Sequence, residues 1–219
     1  MKKIISALLR LLLILTAFAA CSDNDAEPTS DNESSSSASS NSTSNSSADI
    51  TSSSLTGLHH VEMVIKDYGT IKIELNADKA PISVENFMTL AEEGFYDGIG
   101  FHRYAENFVL QGGDPDGDGY GGSDKTIKGE FAINGVANDL KHTRGAISMA
   151  RTSVYDSATS QFFICLDTAY CSSLYGQYAA FGYITEGMDI IDKICAETPV
   201  SNSIPKDEQP IIETVKVID

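Results

Sequence analysis

The chain has 219 residues, of which 31 are acidic and 15 basic, for a formal net charge of −16 at pH 7. This length accommodates one ordinary domain with extensions rather than several domains. So acidic a chain is poorly suited to bind a phosphate backbone, which argues against nucleic acid as a partner and predicts a well-solvated surface.

Residues 1–20 have the layout of a secretory signal. Two lysines precede an apolar run that Arg10 interrupts, and the run ends in small residues before Cys21. The run is near the short limit for spanning a bilayer. A signal of this form resembles a bacterial lipobox, with Phe18 where that pattern usually has Leu. The resemblance implies an extracytoplasmic protein, lipid-anchored to the membrane through Cys21. Ordinary signal cleavage beside a chance cysteine and an uncleaved anchor are the alternatives.

The next segment differs sharply in composition. Residues 22–56 contain 15 serines and neither lysine nor arginine. A segment with so few apolar side chains cannot offset the entropy lost on ordering its backbone. We therefore predict a disordered, Ser-rich acidic tether over 21–56, beginning at the lipidated cysteine, with a root-mean-square reach of roughly 30–35 Å. The globular domain is predicted over 57–219, which is ample for a sizeable core.

Three cysteines lie within this domain: Cys165, Cys171 and Cys195. An odd number cannot form a complete disulfide framework, and no CxxC pair is present. Cys165 ends an apolar run, so we interpret it as a small core residue. The sequence leaves open whether Cys171 and Cys195 pair.

Alternating apolar residues predict short strands through most of the domain. The predicted strands cover 60–66, 70–75, 101–104, 108–112, 130–133, 146–149, 161–166, 181–184 and 211–218. A helical apolar stripe begins at Pro81 and ends at Gly94, and a second helix is predicted over 188–196. Many short strands with two helices indicate a mainly β fold, an antiparallel barrel or sandwich with helices at its ends.

Polar residues interrupt the apolar pattern of two predicted strands. In FHRYAENFVLQGGD, residues 101–114, an arginine and a glutamine lie among aromatic and aliphatic residues, and a second glutamine follows the serine of SQFFIC, 160–165. Successive side chains of a strand point to opposite faces, so each glutamine shares a face with apolar residues. If the two faces meet, they form an apolar pocket with a polar border. Its candidate members are Arg103, Phe108, Val109, Gln111, Gln161 and Phe163.

With GAISMAR at 145–151 and GQYAAFG at 176–182, these segments resemble a cyclophilin-type peptidyl-prolyl isomerase from about His59 to the C-terminus. The resemblance implies a closed eight-stranded antiparallel β-barrel capped by two α-helices. It also implies isomerisation of X–Pro bonds in proline-containing polypeptides, here exported or surface proteins whose folding is assisted. We expect a monomer that needs no cofactor and no metal.

The same resemblance assigns roles to particular residues. Arg103 falls at the position of the family's catalytic arginine, where it would stabilise the twisted amide, and Gln111 would orient it. The positions that bind substrate in the family are Phe108, Val109, Ala150, Arg151, Thr152, Gln161, Phe163, Leu174 and Tyr178. Ser173 stands where members that bind cyclosporin tightly have tryptophan, so we expect weak cyclosporin binding with retained catalysis.

Three further features of the sequence have alternative interpretations. DPDGDG, from Asp114, fits the first half of a calcium loop, but Lys125 stands where the bidentate Glu belongs, so we interpret the segment as a glycine-rich loop. We interpret His102 as a structural, hydrogen-bonding histidine. Two other classes of function remain open: a non-catalytic chaperone module that holds proline-containing segments at the membrane, and a surface adhesin or scaffold.

Overall fold

The computed structural model describes residues 50–219. The predicted signal, Cys21 and the tether up to residue 49 lie outside the described residues. In the described part, no helix is both long and apolar enough to cross a membrane. The helices and strands, in chain order, are β1 (Leu58–Ile65), β2 (Gly69–Asn76), α1 (Pro81–Glu92), β3 (Phe101–Ala105), β4 (Val109–Gly112), β5 (Ala146–Met149), β6 (Phe162–Cys165), α2 (Thr168–Cys171), β7 (Ala180–Glu186), α3 (Met188–Glu197) and β8 (Ile212–Val217).

The eight strands form one curled antiparallel sheet in the order β3-β4-β6-β5-β7-β2-β1-β8. This confirms the predicted mainly β, eight-stranded fold but corrects the expectation of a closed barrel. The edge strands β3 and β8 share no ladder, although Gly100 and Ile211, the residues just before them, form an antiparallel bridge. Further along β3, Tyr104 forms a bridge with Ser201, so the loop that contains Ser201, and not β8, lies along this part of the strand. The sheet is an open, curled half-barrel.

Alternation along β1 and β2 places one apolar face of each strand in the core, as predicted. The buried side chains on these faces are Val61, Met63, Ile65, Ile71, Ile73 and Leu75. Helix α1 packs its apolar stripe onto the same core, where the Phe87 ring lies 5.0 Å from that of Tyr96 and 5.6 Å from that of Phe162. Truncating a buried phenylalanine of this kind typically costs about 3–5 kcal/mol.

The predicted strand over 130–133 is wrong. Glu130 lies beneath the N-terminus of α1, where its carboxylate accepts hydrogen bonds from the backbone N–H groups of Ile82 (3.0 Å) and Ser83 (2.8 Å) and from the Ser83 hydroxyl (2.7 Å). A 3-10 turn at Ala132–Asn134 follows. The strand prediction failed because Glu130 is buried as a cap of α1 and not as part of a β-ladder. The N-cap residue of α1 makes no side-chain capping hydrogen bond, so Glu130 takes this role.

Residues 50–219 contain three α-helices where two were predicted. α1 and α3 lie where their apolar stripes indicate, and α3 buries Ile191 and Ile194. The additional helix, α2, is a single turn capped by Asp167, whose side chain accepts a hydrogen bond from the Ala169 N–H at 2.7 Å. A single turn carries no measurable periodicity, so only the cap could have indicated it.

The chain already contacts the domain at Ile50, N-terminal of the boundary predicted at residue 57. The Ile50 N–H donates to the Thr126 carbonyl, and the Ile50 carbonyl accepts from the Lys128 N–H, both at 2.9 Å. Leu55 packs against the core. The polar composition of residues 51–54 concealed these two apolar anchors.

Candidate active site

Arg103 and Gln111, two polar residues of the predicted site, lie in one row across neighbouring strands of the sheet. Arg103 on β3 is opposite Gln111 on β4, Gln111 is opposite Phe163 on β6, and Phe163 is opposite Ser148 on β5. Residues that are directly opposite in a ladder point to the same face of the sheet. The alternate residues of β4 and β6, such as Leu110, belong to the interior core, so this row lies on the outer face.

A chain of side-chain hydrogen bonds runs along this row to the glycine-rich loop. Arg103 Nη1 donates to Gln111 Oε1 at 3.2 Å, and Gln111 Nε2 donates to Gln161 Oε1 at 2.9 Å. Gln161 Nε2 in turn donates to the carbonyls of Gly119 (3.1 Å) and Gly121 (2.7 Å). Because an arginine only donates, the direction of every amide in the chain is fixed.

A residue that the sequence analysis missed holds Arg103 from the other side. Arg103 Nε donates to Asn202 Oδ1 at 3.1 Å, across a separation of 99 residues. Asn202 reaches this position because the neighbouring Ser201 exchanges two backbone hydrogen bonds with Tyr104, at 2.9 and 3.0 Å. This loop has no periodic pattern, so nothing in the sequence connected it to β3.

The guanidinium of Arg103 is half-buried and has no acidic partner. Burial lowers the pKa of Arg103 from its ordinary value, although an arginine in a protein stays protonated at neutral pH. Among residues 50–219, no carboxylate oxygen lies within 4.0 Å of it. Its positive charge is therefore available to a ligand.

A cavity of about 210 Å³, called the apolar cavity below because six of its nine lining side chains are aliphatic or aromatic, opens beside this guanidinium. Nine predicted site residues line it: Arg103, Phe108, Val109, Gln111, Ala150, Arg151, Phe163, Leu174 and Tyr178. The Phe163 ring is fixed between two neighbours, since its centroid is 5.7 Å from the Tyr178 ring and 6.1 Å from the His142 ring. The cavity has room for one small apolar side chain.

The two other predicted site residues, Thr152 and Gln161, line an adjoining cavity of about 340 Å³. This second cavity shares Gln111, Ala150 and Arg151 with the first, and the loop from Gly119 to Ser123 forms its far wall. The two cavities make one groove in which an extended chain can place neighbouring side chains. The structure thus brings together all eleven predicted catalytic and substrate-binding residues, whose roles stay predictions.

Two buried histidines lie behind the groove. His142 Nε2 is 3.0 Å from Ser148 Oγ, and burial lowers its pKa to about 4, so the ring is neutral at pH 7. His102 was expected to form hydrogen bonds, but neither ring nitrogen has a partner among residues 50–219. Burial also lowers the pKa of His102, which excludes a cationic role at neutral pH.

The calcium-like segment is folded around its own first residue. The Asp114 carboxylate accepts backbone hydrogen bonds from Asp116 (2.9 Å), Asp118 (3.1 Å) and Gly119. These bonds hold the pKa of Asp114 below its ordinary value against the opposing effect of burial. Within the described part of the chain, no group of three or more His, Cys, Asp or Glu residues is arranged to hold a metal ion.

Two cysteines, Cys165 and Cys171, pack in the apolar cluster beneath the cavity, with Val109 and Phe163. Cys165 is opposite Val109 in the ladder, and the thiol of Cys171 donates to the Phe108 carbonyl at 3.0 Å. The neighbouring Cys171 thiol and burial raise the pKa of the Cys165 thiol above its ordinary value. All three cysteines of the domain are free, so Cys171 and Cys195 do not pair.

The curled eight-stranded antiparallel sheet with its helices matches the fold of a cyclophilin-type isomerase of known structure. Residues 60–217 match the family model described as cyclophilin type peptidyl-prolyl cis-trans isomerase/CLD. The chain therefore belongs to the cyclophilin-type peptidyl-prolyl isomerase family and is an enzyme of that class.

Known relatives share this family. A peptidyl-prolyl cis-trans isomerase of Helicobacter pylori is 47% identical over 129 residues, 58% of this chain and 74% of that protein. Peptidyl-prolyl cis-trans isomerase B of Escherichia coli is 40% identical over 161 residues, 69% of this chain and 95% of that protein.

Two crystal structures of one cyclophilin-type isomerase, from Cryptosporidium parvum, resemble this fold. The first has a TM-score of 0.66 and 28% identity, and covers 74% of this chain and 99% of that one. The second was determined in the presence of the dipeptide Ala-Pro; its TM-score is 0.65 and its identity 29%, and it covers 73% of this chain and 99% of that one.

Proposed function

We propose that this protein accelerates rotation about X–Pro bonds in exported or surface polypeptides, with Arg103 as the catalytic group. The observation that carries the proposal is a guanidinium held by two oxygen acceptors at the rim of an apolar cavity. The relative crystallised in the presence of Ala-Pro supports a proline-containing ligand for this groove.

The chemistry requires no proton transfer. Amide resonance opposes rotation with a barrier of about 18–20 kcal/mol. At the twisted transition state this resonance is lost, and the proline nitrogen becomes a hydrogen-bond acceptor. A cationic donor that contacts this nitrogen stabilises the transition state more than the planar ground state, which is the condition for catalysis. A charged hydrogen bond is worth about 1.5–3 kcal/mol, or roughly 10- to 100-fold in rate.

Arg103 has both the free donors and the fixed orientation for this role. A guanidinium has five N–H donors. Asn202 and Gln111 accept one each, which leaves three for a ligand. Because the neighbours already restrict the side chain, little conformational entropy is lost when the transition state forms.

The remaining acceleration is assigned to the groove. The apolar walls formed by Phe108, Val109 and Phe163 would hold the prolyl ring while the preceding carbonyl rotates. Gln111 and Gln161 would supply preoriented polar groups beside it, and such groups act strongly where water is excluded.

The assay is isomerisation of an X–Pro peptide by the purified domain. We expect Arg103→Ala to lose about 10- to 100-fold in kcat/KM. Arg103→Lys should be intermediate, since an ammonium lacks the rigid fork that meets two acceptors at once. Lys216→Ala, at an exposed position on the edge strand β8, is the control for the loss of a positive charge.

Equal rates for the wild-type domain and Arg103→Ala would remove Arg103 from the mechanism. Peptide binding by the wild-type domain without exchange between isomers, measured by NMR line broadening, would favour the non-catalytic binding module instead. Loss of peptide binding in cavity variants with unchanged activity in cells would favour the adhesin or scaffold.

We also propose that the protein acts outside the cytoplasm, attached to a membrane through lipidated Cys21. The support is the order of a charged segment, an apolar run, small residues and a cysteine within residues 1–21. Mass spectrometry of the mature N-terminus should detect acylated Cys21, and Cys21→Ala should release the protein from the membrane fraction. An intact Met1 or an unmodified N-terminal residue would contradict this anchor.

A further inference from the structure

The groove contains a second guanidinium that no carboxylate neutralises. Residues 50–219 include three arginines, and Arg144 donates two hydrogen bonds of 2.7 Å to the carboxylate of Asp192. Neither Arg103 nor Arg151 has a carboxylate oxygen within 4.0 Å in the described chain. Acidic residues outnumber basic ones by 31 to 15 in this protein, yet its groove has two unneutralised cations.

Neutral groups hold the Arg151 side chain. Its guanidinium carbon is 4.5 Å from the centroid of the Tyr178 ring, 5.0 Å from that of Phe131 and 5.2 Å from that of Tyr155. Cation–π contacts of this kind orient a guanidinium without cancelling its charge. Arg151 is therefore a fixed cation and not a mobile surface side chain.

Backbone carbonyls complete the fixation of Arg151. Its Nε and Nη2 donate to the Gln177 carbonyl at 3.3 and 2.8 Å, and its Nη1 donates to the Thr152 carbonyl at 2.8 Å. Three of the five N–H donors are thus in use. Two donors remain for a ligand, and both are on the terminal nitrogens.

Arg151 lies at the junction of the two cavities. It lines the apolar cavity beside Arg103 and also the second cavity. The other side chains that line the second cavity are neutral, among them the hydroxyl groups of Thr152, Ser157 and Thr159. A carboxylate in the second cavity would therefore meet a cation and hydroxyl donors, with no acidic residue in the lining to repel it.

We propose that Arg151 makes the groove selective for acidic substrates, in which an aspartate or glutamate lies within two residues of the proline. The inference rests on the proposed function, because it concerns which X–Pro segments the same groove turns over. Lysine or arginine at the same position would be disfavoured by repulsion from Arg151 and Arg103.

The test compares peptides that are identical except for one residue, which is Glu, Gln or Lys, placed two positions before or after the proline. We expect the wild-type protein to turn over the better-placed Glu peptide about 10-fold faster, in kcat/KM, than its Gln counterpart, which equals about 1.4 kcal/mol. The Lys peptide should be slower still. The preference should shrink at about 1 M salt, where the Debye length is only about 3 Å.

Variants of Arg151 test whether this residue causes the preference for the Glu peptide over the Gln peptide. Arg151→Gln should bring the Glu-to-Gln ratio close to one, and Arg151→Lys should retain part of it because the charge is kept. Lys216→Gln removes the same charge from an exposed position on β8 and should leave the ratio as it is in the wild type. Circular dichroism of each variant shows whether it is folded, and the ratio does not depend on the fraction of active protein.

The outcomes separate this inference from the proposed function. If the wild-type protein turned over none of the peptides, the proposed function would fail. If it turned over all of them with a ratio near one, only the selectivity would fail. If the ratio persisted in Arg151→Gln, the selectivity would belong to another residue and the assignment to Arg151 would be overturned.

Discussion

Asn202 offers a sharp test of how the catalytic arginine is positioned. Its Oδ1 accepts from Arg103 Nε at 3.1 Å, and Gln111 is the other side chain that holds the guanidinium. Asn202→Ala removes one of these two restraints. A hydrogen bond to a charged group is worth about 1.5–3 kcal/mol, and the lower end applies because Asn202 is exposed to water. Since Gln111 remains, we expect a loss of about 3- to 10-fold in kcat, roughly 0.7–1.4 kcal/mol.

Asn202→Ala should affect kcat and KM differently. Asn202 is not among the residues that line either cavity of the groove, so KM should change little while kcat falls. Asn202→Asp should also lower kcat, because a carboxylate beside the guanidinium competes for its charge. Rates are measured on an X–Pro peptide at saturating and limiting concentrations.

Ser203→Ala is the matched control for Asn202. It removes a hydroxyl group from the same exposed turn and leaves the contact with Arg103 in place. Unchanged kcat in Asn202→Ala, together with a strong loss in Arg103→Ala, would refute the argument that Asn202 positions the arginine. An equal loss in Ser203→Ala would assign the effect to the turn instead.

Two further predictions concern stability. Burial lowers the pKa of His142 from 6.5 to about 4. As the pH falls, the unfolded chain therefore binds a proton at this histidine at a higher pH than the folded protein does. The free energy of unfolding should decrease as the pH drops from about 6.5 to 4, by at most about 3 kcal/mol. His142→Gln should flatten this part of the profile in urea unfolding, and an unchanged slope would exclude His142 as its cause. Glu130→Ala leaves the first N–H groups of α1 unsatisfied and should lower the free energy of unfolding by about 1–3 kcal/mol. Glu213→Ala, at an exposed position, is the control. If both variants had the same urea unfolding midpoint, the capping role of Glu130 would be contradicted.

Much of the fold follows from patterns that span several residues. The period-2 alternation around Val61 and Ile73 predicts strands, and the stripe that includes Phe87 predicts a helix, because each pattern repeats over enough positions to be distinctive. The strand prediction at Glu130 was wrong because no pattern repeated over several positions distinguishes this segment. A single buried carboxylate can cap a helix from a distant loop, and no local pattern distinguishes that case from a half-buried strand.

For the candidate site, alternation within each strand is enough to predict which side chains share a face: Val109 with Gln111, and Gln161 with Phe163. Which faces meet depends on the folded chain, which also brings Asn202 to Arg103 and holds Arg151 among aromatic rings. The physical reason is that contacts across 99 residues depend on how the sheet curls and on which loop covers its open edge. The local sequence predicts neither the curl of the sheet nor the loop that covers its edge.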